Sequence, residues 1–248
     1  MRVLITGASS GMGKSMALYL ASMGCELYVT ARDKEKLDEI YKDVKPKVIT
    51  LGYDLTKLDN CYKLYNEVKD ENIDILINNA GFGDCGKFSD TSLEKELDMI
   101  NLNVRAYHVL MKLFLKDFVK RNRGKILNVA SMAGFMPGAY MATYYATKSY
   151  VLNLSLSVYE ELKRDHSRVK ISVFCPGPVE TRFEKVANVK FNVSLLPVDY
   201  ASRYAIDHMF NNELVIIPPN MKLNYILVKL APLKMTMYIN SNVQEKMS

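Results

Sequence analysis

The chain has 248 residues, 49% of them apolar and 24% charged, with 12 Gly and 8 Pro, a composition that excludes collagen-like, disordered and low-complexity classes. Lys and Arg outnumber Asp and Glu by 33 to 27, for a net charge of +6, but the signs are interleaved along the chain and no nucleic-acid partner is expected. Four scattered cysteines and three histidines, with no Cys-x-x-Cys pair, argue against a disulfide framework and against a metal site, and fit a reducing, cytoplasmic setting.

Short apolar and β-branched runs alternate with longer amphipathic stretches along the whole length. This predicts βαβ units and a single Rossmann-type, doubly wound α/β domain over 1–248, its seven-stranded, mostly parallel sheet covered by helices on both faces. The first strand, 2–6, runs into Gly7-Ala8-Ser9-Ser10-Gly11-Met12-Gly13 and at once into a helix over 11–23. Glycine tolerates the φ values of so tight a turn and lets backbone amides approach a pyrophosphate at the helix N-terminus. Gly7, Ser9, Ser10, Gly11, Met12 and Gly13 are therefore candidate dinucleotide contacts. Because the Gly-x-x-x-Gly-x-Gly spacing departs from the commoner fingerprint, an ordinary glycine-rich turn would read the same way.

A second strand, 26–31, ends at Arg32, where such folds carry either an acid for a ribose hydroxyl or an arginine for a 2′-phosphate. The guanidinium favours NADP(H) over NAD(H); the bland alternative is a surface residue that starts the next helix, 34–42. The third strand, 47–53, leads to Asp54, and after a helix over 58–69 the fourth, 73–78, leads to Asn79, Ala80 and Gly81. Both sets stand at strand C-termini, the edge where open α/β sheets bind ligands.

One long helix is expected over 93–120, then a strand, 125–130, that delivers Ser131 to the same edge. In the next helix, 141–163, Tyr144 and Lys148 are four apart and share a face, which suits an acid–base pair. Tyr-x-x-x-Lys alone is uninformative, since it recurs at Tyr41, Tyr53, Tyr65, Tyr159 and Tyr225; among the six, only Tyr144 follows a serine at the offset of Ser131. Strands over 170–175 and 214–217, with a helix over 199–211, complete the alternation.

In this order the glycine turn, Asn78-Asn79-Ala80-Gly81, Ser131, Tyr144 and Lys148 resemble the classical short-chain dehydrogenase/reductase family over essentially the whole chain. The resemblance implies an Asn–Ser–Tyr–Lys tetrad that reduces a carbonyl to an alcohol, or the reverse, with NADP(H), and a homodimer or homotetramer. Asn101 and Asn103 compete for the first place. About 200° apart on an α-helix they cannot both face the site, and Asn103, followed by Ala106, better matches the family's Asn-x-x-Gly/Ala pattern. The resemblance also implies that Pro176, Gly177 and Thr181 meet the nicotinamide end, and that Tyr144 and Lys148 touch the cofactor besides catalysing. A free phenol, with a pKa of about 10, is a poor base at neutral pH, so Lys148 and a positive nicotinamide are expected to lower that of Tyr144. Ser131 is expected to hydrogen-bond the developing oxyanion. A cofactor-binding sensor without turnover is the rival reading.

Residues 182–198 lack a clear period but carry Phe183, Val186, Val189, Phe191, Val193, Leu195 and Leu196, at the place of the family's substrate lid. With Phe82, Phe135, Met136, Tyr140 and Met141 they suggest an apolar substrate pocket, or equally a lid simply packed on the body. An amphipathic extension follows over about 220–248, with Leu223, Ile226, Leu227 and Leu230 at helical spacing beside Lys222 and Lys229. Internal packing or a subunit interface is its ordinary explanation; contact with a membrane surface, on the way to lipid-like carbonyls, is the alternative. From Asn240 onward the end reads as polar and frayed. No run of 18 apolar residues occurs, and the first strand begins too near Met1 to leave room for a signal peptide.

Overall fold

The computed structural model describes residues 1–191 and 193–245. Seven strands, β1 (Arg2–Thr6), β2 (Glu26–Ala31), β3 (Val48–Gly52), β4 (Ile75–Asn78), β5 (Lys125–Val129), β6 (Lys170–Phe174) and β7 (Val215–Ile216), form one sheet in the order β3-β2-β1-β4-β5-β6-β7. Every pairing is parallel. The chain order reverses between β1 and β4, which opens a crevice at the C-terminal edge of the sheet.

Alternation along each strand builds two cores. Val3 and Ile5 of β1, Leu27 and Val29 of β2, and Ile75 and Ile77 of β4 pack with α1 (Gly11–Ser22), α2 (Lys34–Tyr41) and α8 (Val198–Phe210). Their neighbours Leu4, Tyr28 and Leu76 point to the other face, onto α3 (Leu58–Val68), α5 (Tyr107–Lys120) and the end of α6 (Ala142–Arg164). A sheet buried on both faces needs near-continuous apolar strands, and β1 and β4 have them.

Two expectations need correction. The single helix over 93–120 is three segments: α4 (Leu93–Ile100), a π-helical turn (Asn101–Ala106) and α5. Widening the turn costs regular helical bonding, and it occurs where the Asn103 side chain bonds the backbone of Phe82 instead. The C-terminal end is also more ordered than its polarity suggests. After α9 (Pro219–Leu230) a further helix, α10 (Leu233–Glu245), runs through Asn240, because Asn240 donates to the Pro137 carbonyl at 2.9 Å and Gln244 to the Tyr145 hydroxyl at 2.5 Å. The last part of the expected frayed end, 246–248, lies outside the described residues. Within the lid region a short helix, α7 (Phe183–Ala187), forms where no period was evident. No helix among the described residues is long and apolar enough to cross a membrane.

Candidate active site

The turn after β1 closes because two residues lack a Cβ. Gly7 sits at φ +71°, and a Cβ on Gly13 would lie 2.3 Å from the Gly7 carbonyl oxygen and 2.4 Å from Asn79 Nδ2. Asn79 braces this turn from the neighbouring strand: its Nδ2 donates to the carbonyls of Thr6 at 2.9 Å and Gly7 at 3.3 Å. Thr6 Oγ1 accepts from the backbone N–H groups of Asn79 and Ala80, each at 3.0 Å. Helix α1 begins with no side-chain cap from Ser10 and no acid in its first turn, whereas α2 and α4 are capped by Asp33 and Ser92. Its first amides are therefore left for an anion.

They border a cleft of about 420 Å³ lined by Gly7, Ser9, Ser10, Gly11 and Met12. Opposite walls come from Arg32 and Asp54, from Asn79, Ala80 and Gly81, and from Thr181. Arg32 is exposed on the rim, while Asp54 also accepts from the Thr56 N–H at 3.1 Å and hydroxyl at 2.8 Å, so it shapes the entry to α3. Glycine cradle and uncapped helix end together fit a dinucleotide. Pro176 and Gly177 lie behind: the Pro176 carbonyl accepts from the Met132 N–H at 2.9 Å, and Gly177 packs against Met221 of α9.

Beyond Gly81 the four tetrad candidates converge. A Cβ on Gly81 would lie 2.9 Å from Asn103 Oδ1 and 3.5 Å from Lys148 Nζ. Asn103 is buried, donating to the Phe82 carbonyl at 2.8 Å and accepting from the Phe82 N–H at 3.1 Å, while Asn101 is only half-buried. Ser131, two residues past the end of β5, caps a short 3-10 turn (Met132–Phe135), accepting from the Ala133 N–H at 3.1 Å. Lys148 donates to the Val129 carbonyl at 2.9 Å, and its Nζ lies 5.8 Å from the centre of the Tyr144 ring. Burial pushes the Lys148 ammonium down to about 8.

For Tyr144 the expected downward shift is not what the chain by itself produces. Burial raises the phenol, and a hydrogen bond with Ser131 only partly opposes this. The chain by itself therefore favours the neutral phenol over the phenolate.

Three supporting features have little sequence signature. Tyr107 donates to the same Val129 carbonyl at 3.2 Å, with its ring 5.5 Å from Lys148 Nζ. Thr147 joins the Asn103 amide to the Tyr144 carbonyl. Asn78, Asn128 and Ser155 form a buried chain at 3.0 and 2.9 Å between β4, β5 and α6; the one cue is the polar pair itself, standing in otherwise apolar strands.

On the substrate side, Met136, Met141, Phe183, Val189 and Phe191 gather around Tyr144 and Tyr145. Phe183 lies over Tyr144 with ring centres 5.2 Å apart and stacks on Phe191 at 6.2 Å. Phe135 departs from the expected pocket: its ring meets Tyr225 of α9 at 4.9 Å, because the 3-10 turn aims it at that helix. Tyr140 stands at φ +60° and donates to Glu245 of α10, and Phe82 and Val186 line the cofactor-side cleft.

Comparison with known proteins agrees with this architecture. The family model for short chain dehydrogenase matches residues 1–191. An uncharacterised oxidoreductase of Staphylococcus epidermidis is 31% identical over 180 residues, 72% of this chain and 77% of that protein. Epidermal retinol dehydrogenase 2 of Mus musculus is 30% identical over 242 residues, 91% of this chain and 75% of that protein. The structure of a short-chain dehydrogenase from Sphingobium yanoikuyae in complex with NADPH is 31% identical, with a TM-score of 0.83 over 91% of both chains. Sheet order, strand-end residues and sequence likeness lead to one assignment: the chain belongs to the classical short-chain dehydrogenase/reductase family of oxidoreductases.

Proposed function

We propose that this chain is an NADP(H)-dependent oxidoreductase that interconverts an apolar aldehyde, ketone or 3-oxo compound with its alcohol. The observation that carries the reading is the convergence of Asn103, Ser131, Tyr144 and Lys148 beside Gly81, at the inner end of the glycine-lined cleft. Arg32 on the cleft rim supports a 2′-phosphate, as does the NADPH named for the Sphingobium relative. The apolar cluster around Tyr144 supports an apolar substrate, as does the retinol dehydrogenase activity named for the mouse relative. Four free thiols, three of them buried, support a cytoplasmic setting. The outward stripe of Leu93, Leu97 and Ile100 on α4 is a surface that would pair in a homodimer or homotetramer.

A nicotinamide held in this cleft would supply or receive the hydride. Tyr144, protonated at neutral pH, donates its proton to the carbonyl oxygen as negative charge develops on it. The Ser131 hydroxyl, whose proximity to Tyr144 opposes the rise of the phenol, stabilises the same oxygen. Lys148, with its pKa near 8, stands one helical turn away, matched to returning a proton to the phenol near neutral pH. Asn103 fixes the Phe82 backbone over this pair, and Thr147 ties Asn103 to the Tyr144 turn.

The test is NADPH consumption with aldehydes, ketones, 3-oxo esters, retinal-like and steroid-like carbonyls, wild type beside Tyr144→Phe. One apolar class turns over in the wild type and falls by about 10²- to 10⁴-fold in the variant, while NADPH binding, followed by fluorescence, persists. A wild type that binds NADPH and reduces none of them would support the sensor reading instead.

A further inference from the structure

Helix α10 is inside out. Its residues against the body are polar, with Thr236 9% and Gln244 5% exposed, whereas Tyr238 is 70%, Met235 54% and Ile239 50% exposed. An amphipathic helix turns its apolar face to the core because that removes it from water. Here the polar face is used up on Tyr145 and Pro137, and the apolar face is left outward. Helix α9 is apolar on both sides. Met221 and Tyr225 pack inward, and Leu223, Ile226, Leu227 and Leu230 form a second stripe at helical spacing, with Leu230 79% exposed. Consecutive helices that both present apolar stripes to water require a covering partner.

Charge decides which one. Helices α9 and α10 carry Lys222, Lys229 and Lys234 and one acid, Glu245 at the end of α10, which accepts from the Tyr140 hydroxyl. Lys229 rests against the rings of Phe135 and Tyr225, at the border of the α9 stripe. A second copy docked on this face about a twofold axis would set three lysines against three lysines, with the one carboxylate of the two helices already engaged by Tyr140. Anionic headgroups neutralise the same lysines while acyl chains take up the leucines. Neither helix is long and apolar enough to span a bilayer.

We infer that the outward face of α9 and α10 docks this protein onto an anionic bilayer surface. The same helices brace the substrate side, α10 through Tyr145 and Tyr140 and α9 through Phe135 and Gly177. A docked molecule therefore has its apolar cluster beside the lipid, and an apolar carbonyl reaches Tyr144 from the membrane. This last step rests on the proposed reductase function; the docking itself does not.

The experiment is co-sedimentation of the full chain with phosphatidylcholine vesicles, with and without phosphatidylserine, together with its mass in solution by light scattering. Wild type partitions onto serine-containing vesicles and far less onto neutral ones. Leu227→Glu/Leu230→Glu abolishes partition, and Lys222→Glu/Lys229→Glu/Lys234→Glu weakens it by about 100-fold. All five positions, Lys229 included, are exposed, so these variants keep wild-type NADPH binding, which reports that they are folded. Absence of wild-type partition overturns the inference. So does a fall in solution mass on Leu227→Glu/Leu230→Glu, which would make the face a subunit interface. Vesicle binding without turnover of any carbonyl leaves the docking standing and removes the substrate route.

Discussion

The Asn103 amide nitrogen lies 3.1 Å from Thr147 Oγ1, a bond that fastens the π turn to the helical turn holding Tyr144 and Lys148. Thr147 in turn donates to the Tyr144 carbonyl at 2.7 Å, so a displacement of the π turn is passed to the catalytic pair.

Asn103→Ala removes that fastening together with both bonds to Phe82. Its turnover is expected to fall by about 10²-fold, while half-buried Asn101→Ala stays near wild type. Steady-state kinetics on both variants, with circular dichroism to show that each is folded, decides it; the reverse order would place the wrong asparagine in the site.

Lys148 bears a cost in stability. Its pKa falls from 10.5 in the unfolded chain to about 8 in the fold, so between these values the unfolded chain holds a proton that the folded chain lacks. This group's contribution to stability therefore rises with pH across that window, and its penalty is complete below pH 8. Lys148→Met is expected to be inactive yet more stable at pH 7 by about 1–3 kcal/mol, after loss of the Val129 bond, with the gain fading towards pH 10.5. Urea unfolding at several pH values reads this directly, and a variant less stable at pH 7 would refute it.

Cofactor choice is referred to Arg32, on the cleft rim. Arg32→Ala is expected to weaken NADPH by about tenfold and leave NADH nearly unchanged. Fluorescence titration of the two cofactors separates a 2′-phosphate contact from a general loss of binding, since equal weakening of both would remove the arginine from that role.

Phe183 covers Tyr144 and holds Phe191 beneath it. Phe183→Ala is expected to lower KM several-fold for bulky carbonyls with little change for small ones. If kcat falls for every carbonyl instead, the ring positions substrate rather than shielding the site.

The core of the fold was legible because it depends on local pattern. Val3, Leu4 and Ile5 alternate between two buried faces, which a run of apolar residues announces before any pairing is known. The glycine turn was equally legible, since a missing Cβ at Gly7 and Gly13 is a property of residue type. Asn103 was reached only by combining a family pattern with helix geometry. The π turn that buries it arises from bonds to Phe82, more than 20 positions away in the chain, and no periodicity encodes it. Tyr107 was invisible for the same reason, one tyrosine among 16 until β5 brings the Val129 carbonyl to it.

The sequence by itself determined the alternation of strands and helices, the cradle after β1 and the set of residue types at the strand ends, all of which follow from side-chain size, period and backbone freedom over a few neighbouring residues. Tertiary structure alone decided three things: that the surroundings of Tyr144 push its phenol up rather than down, that Phe135 leaves the pocket for α9, and that α10 turns its polar face inward. Each depends on what stands opposite a side chain, and that is fixed by elements distant in sequence whose packing energies exceed any local preference.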